Sequence, residues 1–222
     1  METASVPVVE LSSRERILDA AEVLFARRGF AGVGMREVAE AVGLSKSSLF
    51  HHFRSKVELY AAVAGRILKI FEERTHEALT FPGNALERFD RWLDATIDAL
   101  AERPTRARLL LRSLFEDDDL AGESAQEKEV DEIIHRLFTN VASLLREGME
   151  QGLFRLTSIP HLLQSLVGLL VYHFASGDFG ETLLRQSLFV PSAVSKRKQE
   201  VKALLYSGML AHPERSWAKT KK

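Results

Sequence analysis

The sequence predicts an all-α fold of about nine helices, arranged as a small N-terminal three-helix domain and a larger C-terminal helical domain. Apolar residues recur at the i, i+3, i+4 and i+7 spacing of one helical face in most segments. Glycine, proline and serine separate these segments, and no stretch has the alternating pattern of a strand. We expect residues 1–12 to be a flexible tail, 13–60 and 61–211 to be the two domains, and 212–222 to be a basic tail.

The composition is that of a globular protein with a buried core. The chain has 222 residues, of which 45% are hydrophobic and 27% are charged. It contains no cysteine, which excludes disulfides, thiolate metal sites and a cysteine nucleophile. No secretion signal is visible, and no apolar run reaches the roughly 18 residues of a membrane span. We expect a cytoplasmic protein without membrane contact, cofactor or metal.

The first predicted helix starts near Ser13, with Ser12 or Ser13 as its N-cap, and ends at Gly29. Its apolar side chains fall on a single face, and we expect this face to cover the two helices that follow. The residues on it are Ile17, Leu18, Ala21, Leu24 and Phe25.

A helix-turn-helix is predicted at about 34–53, which includes the stretch MREVAEAVGLSKSSLFHHF. Gly43 supplies the left-handed backbone conformation at which the first short helix stops. Ser45 follows as the N-cap of the second helix. Ala39 is small enough to let the two helices approach, and Leu49 is expected to return to their shared core.

Further helices complete the chain. A long connecting helix is predicted at about 56–79, with Ser55 as its N-cap. The acidic run Glu116–Asp119 is expected to be a solvated loop between helices, since it lacks the glycine and final glutamate of a calcium loop. The other helices are expected from Asn84 to Pro104, around Leu109–Phe115, from about Ser124 to Glu150, over His161–Ser176 and from about Pro191 to Leu210.

The charges are unevenly distributed along the chain. The net charge of −1 by itself argues against nonspecific binding to nucleic acid. Between Arg27 and Lys56, however, basic residues outnumber acidic ones, which are only Glu37 and Glu40. Attraction for phosphate is therefore expected to be local to the helix-turn-helix.

The second motif helix offers short hydroxyl side chains near its start. If Leu49 and Phe53 face the core, Ser47 and His51 lie on the opposite side. Ser47 and Ser48 are the predicted base readers, because the N-terminal side chains of such a helix reach base edges in the major groove. The full set of predicted DNA-contacting residues is Arg36, Ser45, Lys46, Ser47, Ser48, Phe50, His51 and Lys56.

The charged members of this set are predicted to bind phosphate, which fixes the register without reading sequence. These residues are Arg36, Lys46, His51 and Lys56. The alternative for each is an ordinary solvated surface position. A metal site at His51 and His52 is not expected, because neighbouring side chains on a helix point about 100° apart.

The segments RERILDAAEVLFARRGF and MREVAEAVGLSKSSLFHHFRSKVEL resemble the N-terminal domain of TetR-type transcriptional regulators. The resemblance is specific over about residues 13–60, and the order of the later helices through Ala211 is compatible with the dimeric regulatory domain of that family. It implies a sequence-specific transcriptional regulator, most simply a repressor, that binds double-stranded operator DNA and is controlled by a small-molecule effector.

Two positions depart from the family pattern. Gly34 stands where the family usually has a threonine that caps the first motif helix and contacts phosphate. Phe50 stands where a tyrosine is frequent, and it can pack against sugar but cannot form a hydrogen bond with phosphate. We expect modest DNA affinity as a consequence.

A homodimer is expected, because one half-site gives little specificity and two recognition helices must lie about one DNA turn, roughly 34–36 Å, or a small multiple apart. The predicted interface comprises about 161–176 and 194–210, which would form a four-helix bundle with the partner. An intramolecular core is the competing interpretation of these apolar helices. The predicted operator is nearly palindromic.

The resemblance places an effector pocket in the regulatory domain, and the aromatic residues there favour an apolar or amphipathic effector. Core packing is the alternative for each of them, and His135 and His173 are possible polar contacts. The predicted pocket residues are Phe89, Trp92, Phe115, Phe138, Tyr172 and His173, with Phe174 as a further aromatic.

Two other classes of function are disfavoured by the sequence. An all-α enzyme or interaction module is disfavoured because the chain has no glycine-rich phosphate loop, G-x-S-x-G elbow or H-E-x-x-H motif. A ligand-independent architectural DNA-binding protein would require a strongly positive net charge, and the charge of −1 argues against it.

Overall fold

The computed structural model describes residues 12–116 and 124–211, and the side chains of 114–116 are not described. The predicted tails and most of the acidic run Glu116–Asp119 therefore lie outside the described residues. Within the described ranges there are ten helices and no strand, apart from an isolated antiparallel bridge between Phe154 and Leu210. The predicted all-α fold is confirmed.

The helices are α1 (Ser13–Arg28), α2 (Met35–Ala41), α3 (Lys46–His52), α4 (Lys56–Thr80), α5 (Ala85–Ala101), α6 (Pro104–Glu116), α7 (Ala125–Glu150), α8 (Ile159–Ala175), α9 (Asp178–Leu184) and α10 (Pro191–Met209). The helix α9 has no counterpart among the nine expected. It has only seven residues, and Gly177 at its start has a φ of 56°, a conformation typical of turns.

Side-chain caps start five of these helices. Ser12, Ser45, Ser55, Asn84 and Ser124 each accept a hydrogen bond from the backbone N–H three residues later. At α5 and α7 a glutamate completes a capping box by accepting the N-cap backbone N–H. The sequence pattern thus locates these helix starts because the capping chemistry is local.

The first three helices share one core. Leu49 and Ala39 are fully buried where α2 and α3 cross, and Phe25 of α1 covers them with Phe53. Gly43 has a φ of 70°, the left-handed conformation that the turn between α2 and α3 requires. Burial of these side chains fixes α3 against α1 and leaves its opposite face in solvent.

The helix α4 joins this unit to the rest of the chain. Its Arg66 forms an ion pair with the buried Glu22 of α1 at 2.7 Å and with Asp19 at 2.9 Å. Glu22 also accepts a hydrogen bond from the Thr105 hydroxyl of α6 at 2.5 Å. A charged cluster therefore connects α1 to both α4 and α6.

The remaining helices pack around α4, α5, α7 and α8. Ion pairs hold α10 against α5, where Lys202 lies 2.8 Å from both Asp90 and Asp94. The hydroxyl of Tyr206 donates to Asp90 in the same cluster, and its pKa is raised by burial and by this carboxylate. No single helix within the described ranges is long and apolar enough to cross a membrane; α8 and α9 pass that test only as a pair bent by 89°.

Candidate nucleic-acid interface and internal cavity

The start of α3 presents a group of linked hydroxyls. The Ser45 Oγ lies 2.9 Å from the Ser47 Oγ and 2.8 Å from the Ser48 Oγ, and it accepts the Ser48 backbone N–H at 3.1 Å. Ser45 and Ser47 are exposed and Ser48 is half-buried. The hydroxyl group that caps the helix therefore also orients the two predicted base readers.

Two further predicted contacts lie beside these hydroxyls. Lys46 is exposed, and its ammonium lies 5.7 Å from the centre of the Phe50 ring. The Phe50 side chain is 37% exposed, and the next residue, His51, is also exposed. The same face of α3 thus combines hydroxyls, an aromatic ring and a cation.

The two remaining predicted cations are engaged within the protein. Arg36 forms an ion pair with Glu40 at 2.7 Å one helical turn away, on an exposed surface. Lys56 is half-buried, and its Nζ donates to the backbone oxygen of Phe30 at 2.9 Å and lies 4.2 Å from the centre of that ring. This contact joins residues 26 positions apart and gives Lys56 a structural role that the sequence pattern did not indicate.

One exposed cation near α3 was not predicted. The Arg14 guanidinium of α1 lies 5.1 Å from the centre of the Phe53 ring, which follows the last residue of α3. The two residues are separated by the whole motif in sequence. Only the packing of α1 against α3 reveals that Arg14 adds positive charge beside the second motif helix.

A cavity of about 430 Å³ lies between α4, α5, α6, α7 and α8. Its volume is within the range of pockets for small organic ligands, and its walls are mostly apolar. The lining residues are Tyr60, Ala61, Ala64, Leu68, Phe71, Thr75, Trp92, Thr96, Leu110, Ser113, Glu127, Val130, Asp131, Ile134, Leu137, Phe138, Val141, Leu163, Leu166, Val167, Leu170 and Val171.

Two of the predicted pocket residues, Trp92 and Phe138, line this cavity. Trp92 is buried and its indole Nε1 donates to the Thr75 Oγ1 at 3.2 Å. Phe89 does not line the cavity, because its fully buried ring packs on Trp92 and Phe154, with both pairs of ring centres 5.6 Å apart. The side chain of Phe115 lies outside the described residues.

The predictions on α8 differ from the structure because of helix rotation. The helix faces the cavity with Leu163, Leu166 and Leu170, so Tyr172 is turned to solvent. His173 is also absent from the lining, and burial together with the charge of Arg197 lowers its pKa to about 4. His135 of α7 is exposed and lies outside the lining, whereas Phe174 is buried in the core.

Most of the cavity wall was missed by the sequence interpretation. The contributing residues are predominantly aliphatic and come from five helices, with Leu68, Leu137 and Val167 as examples. Their periodicity is the same as that of ordinary core residues. Within residues 12–116 and 124–211, no group of three or more acidic or histidine side chains could hold a metal ion.

Models of known protein families match both parts of the chain. Residues 17–63 match the N-terminal model of the bacterial regulatory proteins of the tetR family, and 86–204 match a tetracyclin repressor-like C-terminal domain. The chain belongs to the TetR family. This confirms the family predicted from the helix-turn-helix, and because the family consists of regulatory proteins, the prediction that the chain is not an enzyme is also confirmed.

Among relatives, the chain is 33% identical to the transcriptional activator FasR of Mycolicibacterium smegmatis over 105 residues, 47% of this chain and 46% of FasR. It is 30% identical to the transcriptional repressor KstR of the same organism over 111 residues, 50% of this chain and 54% of KstR. The chain thus aligns with about half the length of these relatives.

A solved structure extends the similarity of fold over most of this TetR-family chain. The structure of AibR in complex with isovaleryl coenzyme A and operator DNA superposes with a TM-score of 0.71 and 19% identity. The match covers 87% of this chain and 97% of AibR. At this level of identity the likeness concerns the fold.

Proposed function

We propose that this protein is a homodimeric transcriptional repressor that binds a nearly palindromic operator through α3 and is released by an apolar effector in the cavity. The observation that carries the proposal is the exposed start of α3, where Ser45, Ser47 and Ser48 stand beside Lys46. Short hydroxyl side chains permit close approach to base edges, and the cation provides phosphate attraction. Helices at this position of a helix-turn-helix enter the major groove.

The dimer is supported by the outer surface of α8, α9 and α10. On α8 the exposed Ser165, Gly168 and Tyr172 lie along one face, where the small side chains permit close approach of a partner helix. Apolar side chains on α9 and α10, including Leu183 and Leu204, are more than 60% exposed. Such a surface is typical of a protein interface. The proposed interface therefore includes α9 in addition to the predicted segments 161–176 and 194–210.

Ligand control is supported by the position of α4. Its residues Tyr60, Ala61 and Ala64 line the cavity, while Arg66 on the same helix binds Glu22 of α1. A ligand that displaces α4 would therefore also act on α1 and on the separation of the two α3 helices in a dimer. The named activities of FasR and KstR and the acyl coenzyme A in the AibR complex are consistent with regulation of this kind.

Fluorescence anisotropy on labelled DNA tests the proposal. The probes are DNA from upstream of the gene and a scrambled sequence, each titrated over a salt series. We expect preference for the upstream DNA. Lys46→Ala is expected to weaken binding to both DNAs and to lower the salt slope by about one unit, because one phosphate contact is lost.

Ser48→Ala is expected to lower mainly the preference between the two DNAs, because a base contact is removed. Arg146→Ala is the control for Lys46→Ala, since Arg146 is an exposed cation near the end of α7, the end away from the motif, and its loss should leave binding unchanged. Equal affinity for the two probes, together with no enriched sequence in a genome-wide selection, would contradict sequence-specific regulation. That result would favour an architectural DNA-binding protein.

A further inference from the structure

The polar side chains of the cavity have an unusual charge balance. Two carboxyl groups, those of Glu127 and Asp131, line it together with the hydroxyls of Tyr60, Thr75, Thr96 and Ser113. No lysine, arginine or histidine occurs in the lining formed by the described residues. An anionic ligand group would therefore meet like charge in this lining and no compensating cation.

These polar groups occupy different ends of the cavity. The side chains of α4 and α7 pair in the same order along both helices: Glu58 with Gln126, Lys69 with Glu129, and Glu72 with Arg136. The two helices consequently run side by side in the same direction. The two carboxyl groups lie at the start of α7, beside the first turns of α4. This end of the cavity is the one nearer to the unit formed by α1, α2 and α3. Thr75 lies near the far end of α4 with Trp92.

The acidic end is an acceptor of hydrogen bonds. The Glu127 Oε2 accepts the Ser124 backbone N–H at 3.0 Å, and this carboxyl group is buried. Asp131 is exposed at the cavity, and no described cation lies within ion-pair distance of it. Carboxyl oxygens accept hydrogen bonds, so the ligand group that matches this end is a donor.

The opposite end has a hydroxyl with a proton available. The Thr75 Oγ1 accepts from the Trp92 indole, and this occupies an acceptor site but leaves the hydroxyl proton for another partner. Aliphatic side chains such as Leu68, Leu137 and Leu170 separate the two ends. The arrangement suits an elongated apolar body with different polar groups at its two ends.

We propose that the cavity selects an elongated apolar ligand whose polar group at the Asp131 end donates hydrogen bonds, as a hydroxyl, an amide or an ammonium does, and that it discriminates against free carboxylates. The proposal rests on the proposed effector role of the cavity and specifies the chemistry of that effector. The ligand body contacts the aliphatic walls, and the donor group is bound by the carboxylate of Asp131.

Three probes with the same ten-carbon chain test this selectivity: decylamine, 1-decanol and decanoate. The chain has two tryptophans, and Trp217→Phe leaves Trp92 in the cavity wall as the sole indole reporter. Binding is measured by Trp92 fluorescence and by calorimetry. We expect decylamine and 1-decanol to bind about tenfold or more tightly than decanoate, because only decanoate adds a further negative charge to the acidic end of the cavity.

Asp131→Asn identifies the residue responsible. This variant should raise the affinity for decanoate several-fold and lower that for decylamine, with little change for 1-decanol. Glu132→Gln is the matched control, because it removes the same charge from the neighbouring position, where Glu132 is 72% exposed and outside the cavity lining. Decanoate binding as tightly as decylamine would overturn the proposal, as would identical effects of the two variants.

The DNA-binding and probe-binding measurements test the repressor function and the ligand chemistry independently. Selective probe binding by a protein that prefers no DNA sequence would support the ligand chemistry and contradict the repressor. Operator binding by a protein that binds none of the three probes would overturn the ligand chemistry and leave the DNA-binding role intact.

Discussion

The helix-turn-helix and the cavity place their polar groups in different ways. The exposed hydroxyls and Lys46 come from a few consecutive residues at the start of α3, where the cap of one helix orients them. The cavity wall is drawn from five helices, and its polar members, such as Thr75 and Asp131, are far apart in sequence. A local motif therefore specifies the first surface, whereas tertiary packing specifies the second.

The largest effect is expected at Leu49 in the local motif, where the side chain is fully buried between α2 and α3. Leu49→Ala is expected to lower the free energy of unfolding by about 2–5 kcal/mol, because the lost side chain leaves a cavity in a small core. DNA binding should be lost with it. The measurement is chemical denaturation in the Trp217→Phe background, followed by circular dichroism and by Trp92 fluorescence.

The neighbouring Phe50 provides the control, since it is 37% exposed and Phe50→Ala should change the free energy of unfolding by less than about 0.5 kcal/mol. If Leu49→Ala shifts the Trp92 transition, which reports on the cavity region, as far as the circular dichroism of all the helices, the motif and the cavity region unfold as one cooperative unit. The two regions would then be energetically coupled, although each would keep its own source of specificity.

Glu22 connects the two regions and has the next largest expected effect. It is 3% exposed, binds Arg66 at 2.7 Å and accepts the Thr105 hydroxyl at 2.5 Å. Glu22→Gln should lower the free energy of unfolding by about 2 kcal/mol, because charge-assisted hydrogen bonds are lost while the shape is kept. Hydrogen exchange in α1 should become faster.

Glu40→Gln is the control for this change, because Glu40 pairs with Arg36 on an exposed helix surface and contributes about 0.5 kcal/mol or less. If Glu22→Gln leaves both stability and the effect of a bound probe on DNA affinity unchanged, then the charged cluster does not couple α4 to α1.

These differences explain what the sequence could and could not predict. Ser45, Gly43 and Leu49 act through neighbours within a few residues, so spacing alone located the turn, the cap and the core contact. Tyr172 and His173 were expected in the pocket because aromatic and polar residues suggest a binding site. The rotation of α8 decides which residues face inward, and that rotation depends on packing against other helices.

Lys56, at the start of α4 just after the motif, makes a contact that the spacing of residues could not predict. Its spacing indicates a phosphate contact, but its Nζ donates to the Phe30 backbone oxygen at 2.9 Å. Lys56→Ala should lower the free energy of unfolding by about 1 kcal/mol, since a hydrogen bond and a cation–π contact are lost. Thermal denaturation is the measurement.

Lys46→Ala supplies the comparison, because the exposed Lys46 should affect DNA binding with little effect on stability. A lower salt slope for Lys56→Ala at unchanged stability would instead support the phosphate contact expected from the sequence.

The smallest expected effect is at Gly34, the N-cap of α2 and the first departure from the family pattern. Its φ of −103° and ψ of 145° are accessible to any residue, and a Cβ there would meet no atom within 4 Å. Gly34→Thr should raise the free energy of unfolding by roughly 0.5 kcal/mol, because a hydroxyl can accept an unpaired backbone N–H at the start of α2. Differential scanning calorimetry and DNA anisotropy measure the two consequences, and the same hydroxyl should raise DNA affinity a few-fold through a phosphate contact.

The variant Gly34→Ala distinguishes the effect of the threonine hydroxyl on stability from the effect of the added Cβ. Alanine fits the same open space but offers no cap, so we expect stability to decrease in the order threonine, glycine, alanine. If alanine stabilises the protein as much as threonine does, the gain comes from reduced freedom of the unfolded chain rather than from capping. If only Gly34→Thr raises the DNA affinity a few-fold, the threonine hydroxyl contacts phosphate. The motif would then have a phosphate contact at the start of α2, outside α3.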